Sequence, residues 1–171
     1  AFQNATIHAD LCEFKDNKMP HIAGKEQTAL TVLNSIFDGG KSIYLLEQSH
    51  GHITASSFTN SDGVQIEITE ETKLTLNNCQ IHHGNSNAIK ASMNSTLNIY
   101  DSQITNHIMP QIVINDSSLI FKNSELLNGE RNGFIIENYS EAFIQDSFIS
   151  MHRYPQIWID KHSTVEMKTT T

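Results

Sequence analysis

One small side chain recurs along this sequence at a nearly constant interval. Eight positions lie 22 or 23 residues apart: Cys12, Ser35, Ser57, Cys79, Ser102, Ser124, Ser147 and Thr170. Most of them follow an apolar–x–apolar pair and an Asn or Asp, as in LTLNNCQI from Leu74 and LIFKNSEL from Leu119. Self-similarity at a period of about 20 to 50 residues is typical of solenoids and related repeat architectures. The repeat therefore constrains the fold more than any other feature of the chain.

The apolar residues within each unit alternate with polar ones, so the units are predicted to consist of strands. Equivalent residues form three apolar columns: Leu30, Leu74, Leu97, Leu119, Ala142 and Val165; Val32, Leu76, Ile99, Phe121, Ile144 and Met167; and Phe14, Phe37, Ile81, Ile104, Leu126 and Ile149. A further alternating strand follows about ten residues after the small residue, as in QIVIND from Gln111. The predicted fold is an all-β parallel β-helix solenoid with about 7 coils of 22–23 residues, stacked about 4.8 Å apart.

Two segments fit the repeat less well. Residues 1–29 are predicted to form an irregular first coil or an N-terminal cap, and residues 30–171 the parallel β-helix. Around His52 to Thr59 the pattern slips by one residue, which predicts a bulge. Because the chain starts at Ala1 and no capping helix is evident, we expect a fragment of a larger protein, with an open end covered by flanking domains or a partner chain.

An Asn or Asp precedes most of the small residues, at Asn34, Asn78, Asp101, Asn123 and Asp146. Asn and Asp tolerate left-handed backbone and bond to their own turn, and stacked side-chain amides form ladders. A small Ser or Cys suits the tight bend that follows. The architecture therefore explains both columns without a catalytic role.

Composition excludes several classes of function. The net charge of −8 argues against nucleic acid binding, which needs a basic stripe that releases counterions. No apolar run approaches the roughly 20 residues of a membrane span. Cys12 and Cys79 fall in one column about 14 Å apart, too far for a disulfide. No cofactor is expected, and the compartment stays open, with a secreted or cell-surface location favoured over the cytoplasm.

These features resemble the right-handed parallel β-helix superfamily, which has the pectate-lyase-like fold. The resemblance covers residues 30–171 and depends on the repeat period, the Asn–Ser turns and the inward aliphatic stacks. The superfamily includes pectate lyases, polygalacturonases, alginate epimerases and phage tailspikes. It also includes carbohydrate-binding and structural domains, some attached to bacterial secretion machinery and effectors. The resemblance implies the fold but does not select an activity.

The motifs of the superfamily's enzymes are incomplete in this chain. Trp158-Ile159-Asp160 resembles the Trp-Ile-Asp-His phrase of pectate lyases, but Lys161 follows where that phrase has His. The weak catalytic candidates are Asp101 and Asp146, which lie two coils apart. Their carboxylates are expected about 10 Å apart, near the upper spacing for an inverting glycoside hydrolase. A polysaccharide lyase, hydrolase or epimerase is therefore an alternative rather than the leading hypothesis.

Histidines cluster at one predicted corner. His83 and His107 are weak metal-ligand candidates, expected about 5–8 Å apart by coil stacking, with Asp62 in the same corner. Imidazoles and carboxylates that converge on one point are the ligands of a metal site. The alternative is a row of exposed polar turn residues.

An outward-facing apolar strip is the strongest candidate for a binding site. Val113, Ile135 and Trp158 are predicted to stack on the outside of three consecutive coils after Lys90, with Arg153 and Tyr154 in the preceding corner. Exposed apolar strips with Trp, Tyr and Arg mark interaction surfaces. The leading hypothesis is a non-catalytic domain that binds a partner protein through this lateral face, and carbohydrate binding by the same aromatic rings is the alternative. The chain could also pair with a second copy, end to end or side by side. Tyr100, Ile120 and Phe143 are predicted to point outward on another face.

Overall fold

The computed structural model describes residues 3–169, and the regular structure of these residues is entirely β. Short strands form three parallel sheets, and successive strands along the chain belong to different sheets. Among the described residues, no helix is long and apolar enough to cross a membrane.

The strands of each sheet stack in chain order. Sheet 1 contains β1 (Thr6–Asp10), β4 (Ala29–Leu33), β7 (His50–Thr54), β10 (Lys73–Asn77), β13 (Thr96–Tyr100), β16 (Ser118–Lys122), β19 (Glu141–Gln145) and β22 (Thr164–Lys168). Sheet 2 contains β2 (Glu13–Lys15), β5 (Ile36–Asp38), β8 (Ser57–Thr59), β11 (Gln80–Gly84), β14 (Gln103–His107), β17 (Glu125–Leu127) and β20 (Phe148–Ser150). Sheet 3 contains β3 (Ile22–Gly24), β6 (Ile43–Leu45), β9 (Ile66–Ile68), β12 (Ile89–Ser92), β15 (Ile112–Asn115), β18 (Phe134–Glu137) and β21 (Ile157–Ile159).

Each complete coil places one strand in each sheet. Coil 1 contains β1–β3 and coil 7 contains β19–β21, with β22 added at the end of sheet 1. Paired positions in sheet 1 lie 23, 21, 23, 23, 22, 23 and 23 residues apart. The predicted parallel β-helix of about 7 coils is confirmed. Residues 6–24, inside the segment expected to be an irregular coil or cap, form coil 1 and pair in register with coil 2.

The column of small residues differs from the prediction at one position. Ser57 pairs with Ile36 and Gln80 in sheet 2, and Ser56 occupies the column instead, accepting a hydrogen bond from the Ser35 backbone N–H at 3.1 Å. The cause is the corner after β5, because residues 39–42 connect β5 to β6 in two residues fewer than residues 60–65 connect β8 to β9. Thr170 lies outside the described residues.

The predicted bulge at His52 to Thr59 is wrong. Strands β7 and β8 keep a regular parallel register with both neighbours. Ile53 and Phe58 are fully buried and fill the apolar columns, and the ring of Phe58 stacks on Phe37 with centroids 4.7 Å apart. The shorter preceding corner shifts the phase of the sequence pattern without distorting the sheets.

Hydrogen bonds explain why a small hydroxyl recurs at the corner between sheets 1 and 2. The Ser102 hydroxyl accepts from the Cys79 backbone N–H at 3.0 Å and donates to the Tyr100 carbonyl at 2.6 Å. Ser124 repeats the arrangement one coil later, with distances of 3.1 Å to the Ser102 nitrogen and 2.7 Å to the Lys122 carbonyl oxygen. The hydroxyl thus satisfies backbone groups that the corner removes from the sheet ladders.

A second hydroxyl ladder lies at the corner between sheets 3 and 1, and the sequence analysis missed it. Its members have the same spacing as the first ladder, and all are buried except the half-buried Ser163: Thr28, Ser49, Thr72, Ser95, Ser117, Ser140 and Ser163. Five of the hydroxyls accept a hydrogen bond from the backbone N–H of the member one coil earlier, whereas the Thr72 hydroxyl has no hydrogen-bond partner among the described residues. Two successive residues in the left-handed region precede most of them, for example Glu47 and Gln48. Cys12 and Cys79 are free, as predicted.

Candidate functional site

The outward column of sheet 3 changes character along the rod. In coil order it contains Ala23, Tyr44, Glu67, Lys90, Val113, Ile135 and Trp158. The last three residues are apolar, and the predicted outward stack of Val113, Ile135 and Trp158 is confirmed. Val113 and Ile135 are half-buried, whereas 53% of Trp158 is exposed. The column is charged at Glu67 and Lys90 in coils 3 and 4 and becomes apolar in the last three coils.

A cleft of about 780 Å³ lies in the neighbouring corner between sheets 2 and 3. The corner loops of coils 5, 6 and 7 line it with Ile108, Glu130, Arg131, Arg153 and Tyr154. Arg153 forms an ion pair with Glu130 at 2.6 Å, and the Arg131 guanidinium lies 5.0 Å from the centroid of the Tyr154 ring. These five residues, together with Val113, Ile135 and Trp158, are called the lateral surface below.

Backbone stacking holds the corner loops of the cleft in place. The Glu130 N–H donates to the His107 carbonyl at 3.0 Å, and the Arg153 N–H donates to the Gly129 carbonyl at 3.1 Å. The side chains of consecutive coils therefore project side by side. The cleft collects both arginines of a chain whose net charge is −8, which makes it a locally cationic region.

Beneath the cleft, the half-buried His152 connects three coils. His152 Nε2 lies 2.9 Å from Gln111 Oε1, and the Gln111 amide donates to the Leu127 carbonyl at 2.8 Å. This second bond fixes the Gln111 oxygen as an acceptor, so His152 Nε2 carries a proton. His152 Nδ1 lies against the side-chain oxygen of Gln156. Burial lowers the pKa of His152, and the Gln156 contact opposes that shift.

The same arrangement occurs two coils earlier, at His107. Its Nε2 lies 2.7 Å from Gln65 Oε1, and the Gln65 amide donates to the His82 carbonyl at 3.3 Å. His107 Nδ1 is buried without a hydrogen-bond partner among the described residues. Burial, reinforced by the nearby imidazoles of His82 and His83, lowers the pKa of His107 to about 4, and a smaller effect of the Thr105 backbone opposes this shift.

Large and small side chains alternate from coil to coil in this corner. The residue before each sheet 3 strand is, in coil order, His21, Ser42, Gln65, Ala88, Gln111, Gly133 and Gln156. The buried His107 and the half-buried His152 both pack over a glycine. A Cβ on Gly84 would lie 2.6 Å from His107 Cδ2, and one on Gly129 would lie 2.5 Å from His152 Cδ2. The sequence analysis missed this pattern because its period is two coils rather than one.

The two predicted metal candidates do not meet. His107 pairs with Gly84 and points inward, whereas His83 is exposed and contacts Asn106 and His82, with 2.7 Å between the two Nδ1 atoms of the histidines. This corrects the expectation that His83 and His107 converge. Within residues 3–169, no group of three or more His, Cys, Asp or Glu side chains could hold a metal ion.

The two predicted catalytic candidates lie in separate depressions. Asp101 and Asp146 adopt left-handed backbone at the corner between sheets 1 and 2, as does Asn123 between them. Asp101 lines a depression of about 270 Å³, and Asp146 lines another of about 400 Å³. Asn123 belongs to both. The structure therefore places both carboxylates in the turn ladder and does not bring them together around one cavity.

The outer face of sheet 1 carries a smaller apolar patch. Ile120 and Phe143 stack in one outward column, as predicted, and Tyr100 lies in the neighbouring column. The Lys168 ammonium lies 5.4 Å from the Phe143 ring centroid. This patch is separate from the lateral surface, which belongs to sheet 3.

Comparison with known proteins identifies the family. The family model described as "Right handed beta helix region" matches residues 20–171. Among solved structures, the chain is similar to the A-module of the mannuronan C-5 epimerase AlgE4 from Azotobacter vinelandii, with 13% identity and a TM-score of 0.49. That similarity covers 89% of this chain and 64% of the A-module. A comparison with curated protein sequences finds no match. The chain belongs to the right-handed β-helix family.

Proposed function

We propose that this protein is a non-catalytic binding module and that its lateral surface docks a partner protein. The observation that carries the proposal is the change of the outward sheet 3 column from Glu67 and Lys90 to Val113, Ile135 and Trp158. A solvated strand face is normally polar. Three consecutive apolar residues that end on a half-exposed tryptophan have no role in the core beneath them.

The adjacent cleft supplies the other groups that protein interfaces use. The Arg131 guanidinium lies over the Tyr154 ring, and Arg153 is paired with Glu130 at 2.6 Å, contacts that favour one arrangement of these side chains before binding. Binding energy at interfaces is concentrated in Trp, Tyr and Arg side chains. Prior ordering reduces the entropy that association costs.

Carbohydrate binding is the second candidate, because Trp158 and Tyr154 both present half-exposed rings beside polar groups. We do not extend the proposal to catalysis. Asp101 and Asp146 line different depressions, and the cleft carboxylate of Glu130 is already ion-paired.

The test uses photo-crosslinking followed by binding measurements with purified components. A photoreactive amino acid at position 158 should capture one partner from cells that make the protein, whereas the same group at exposed Phe148, on sheet 2, should not capture it. With the purified partner, Trp158→Ala should weaken binding about 30-fold or more, as expected for a central aromatic anchor. Phe148→Ala is the matched control.

Two results would contradict the proposal. Equal affinity of Trp158→Ala and the wild type would remove the lateral surface from the interface, provided that both proteins unfold at the same temperature. A saturable change in Trp158 fluorescence with one of a panel of neutral and acidic polysaccharides would favour the carbohydrate alternative instead.

A further inference from the structure

The two adjacent histidines of strand β11, His82 and His83, bring their side chains together on the outer surface of sheet 2. His82 lies in the outward column of the sheet, between Thr59 and Thr105. Consecutive residues of a regular strand point to opposite faces, but the backbone of His83 is left-handed, with a φ of 56°. This conformation turns the second ring toward the first. The ring centroids lie 5.0 Å apart, with an angle of 84° between the ring planes.

Three atoms that can bind a metal ion converge at this pair. The Nδ1 atoms of His82 and His83 lie 2.7 Å apart, and the Thr59 hydroxyl oxygen lies 3.3 Å from His82 Nδ1. A neutral imidazole nitrogen carries either one proton or one lone pair. His82 Nδ1 therefore cannot form a full hydrogen bond with both neighbours, whereas a cation beside the two nitrogens would accept a lone pair from each.

The separation of the two nitrogens indicates which kind of ion fits. Two nitrogens bound at right angles, each about 2.0 Å from the ion, lie about 2.8 Å apart, whereas tetrahedral ligands at the same distance lie about 3.3 Å apart. The observed 2.7 Å is close to the first value. Tetragonal or square-planar coordination is typical of copper(II) and nickel(II), and copper(II) has the highest affinity of the divalent first-row ions.

Asn106 supplies a partner for the second nitrogen of His83. Its side-chain amide lies 3.4 Å from His83 Nε2 and 3.3 Å from the Thr105 hydroxyl. With an ion on both Nδ1 atoms, the single proton of each neutral ring resides on Nε2. A half-turn of the Asn106 amide then places its oxygen against the proton of His83. Metal-bound histidines usually donate their other ring N–H to such an acceptor.

The pair is available to a dissolved ion. His83 is exposed and His82 is half-buried. Burial, with a smaller effect of His83, lowers the pKa of His82, so this imidazole is uncharged at neutral pH and keeps a lone pair for an ion. Within residues 3–169 no third His, Cys, Asp or Glu side chain joins the pair as a ligand, which leaves the remaining coordination positions to water.

We infer that His82 and His83 form a surface site for copper(II), in which both Nδ1 atoms bind the ion at right angles. The Thr59 oxygen and water occupy further positions, and Asn106 orients the His83 ring. The site lies on sheet 2 in coil 4, so it is independent of the lateral surface on sheet 3. His107 is not a ligand, because it is buried inside the rod.

Titration of the full chain with copper(II) sulfate at neutral pH tests the site. Every protein in the series carries Cys12→Ser, because copper(II) oxidises accessible thiols and Ser35 shows that this column accepts serine. We expect one bound ion, with two coordinated imidazoles counted by pulsed electron paramagnetic resonance. His82→Gln and His83→Gln should each weaken binding at least about tenfold, since even the loss of an outer partner costs that much, and should leave at most one coordinated imidazole.

Two controls separate this site from general copper binding by histidine. His50 and His52 are exposed on strand β7 of sheet 1, and His50→Gln and His52→Gln should bind copper(II) as the parent does. An acetylated and amidated peptide of residues 80–88 keeps both ligands but lacks Thr59, Asn106 and the left-handed corner that the fold imposes. It should bind copper(II) at least about tenfold more weakly than the full chain.

Three results would overturn the proposal. Unchanged affinity of His82→Gln or His83→Gln, in proteins with the circular dichroism spectrum of the parent, would show that these rings do not hold the ion. Loss of binding in His52→Gln instead would place the ion on sheet 1. Equal affinity of the peptide and the full chain would mean that two adjacent histidines bind copper(II) without the geometry described above.

Discussion

Acidification should destabilise this protein through one imidazole in its interior. The pKa of His107 is about 4 in the folded protein, against an ordinary value of 6.5. Between these two pH values the unfolded chain binds a proton that the folded chain excludes, so the free energy of unfolding falls as the pH falls. The contribution is fully present above pH 6.5 and is lost progressively down to about pH 4.

The size of the loss follows from the difference between the two pKa values. At about 1.4 kcal/mol for each pH unit, a pKa of about 4 instead of 6.5 corresponds to about 3 kcal/mol. The geometry gives the reason. Gln65 accepts the one N–H of neutral His107, while the buried Nδ1 makes no hydrogen bond within residues 3–169 and only a weak interaction with the Thr105 backbone favours the protonated ring.

Urea denaturation, followed by circular dichroism between about pH 7 and about pH 4, measures this loss. His107→Gln keeps an amide donor near Gln65 but does not titrate, so the difference in unfolding free energy between wild type and variant should change by about 3 kcal/mol across that range. Ser118→Ala, which removes no titratable group and lies on the outer face of sheet 1, is the control and should keep the pH dependence of the wild type. If the wild type and His107→Gln lose equal stability on acidification, the assignment of His107 as a neutral interior group is refuted.

Two further predictions concern packing and the hydroxyl ladder. Gly84→Ala should lower the free energy of unfolding by about 1–3 kcal/mol, because the new methyl group meets the His107 ring at 2.6 Å. Thermal unfolding measures the loss, and the control is Gly63→Ala, whose methyl group meets only the flexible side chain of Lys41. An unchanged unfolding temperature for Gly84→Ala would contradict the packing argument. Ser102→Ala should cost about 1–3 kcal/mol, since it leaves the Cys79 N–H without its acceptor, whereas the Tyr100 carbonyl keeps the Asn78 N–H. The same measurement on Ser118→Ala, whose hydroxyl makes one outer contact of 3.3 Å, should show a change within about 0.5 kcal/mol. Equal losses would refute the ladder as a source of stability.

The architecture could be predicted from the sequence because it repeats with a period of one coil. Most coils bury aliphatic or Phe side chains at the same positions, with Gly51 as an exception in coil 3. In the described residues, each corner between sheets 1 and 2 carries a Ser or a Cys. The outward position of Trp158 followed from strand alternation alone. The assignment of Ser57 to the column failed because the shortened corner, residues 39–42, contains no apolar side chain. Its shortening therefore leaves no trace in the apolar pattern.

The side chains inside the corner between sheets 2 and 3 could not be predicted in the same way. Gln65, Gln111 and Gln156 recur every second coil, and the coils between them carry Ala88 and Gly133. Adjacent coils therefore have unlike residues at this position, so a comparison of neighbouring coils gives no sign of a repeat there. His107 was expected on the surface for the same reason, because the residue in its column one coil earlier, Gly84, has no side chain that reveals its direction.

The alternation of large and small corners also limits how a rod of this kind can change its length. Removing residues 118–140 would place His152 over His107, whereas removing residues 96–140 would place His152 over Gly84, with Gln65 within reach two coils below. Insertions and deletions of whole coils should therefore be tolerated in pairs, in steps of roughly 9.6 Å along the axis. Homologous rods with this interior should differ by an even number of coils.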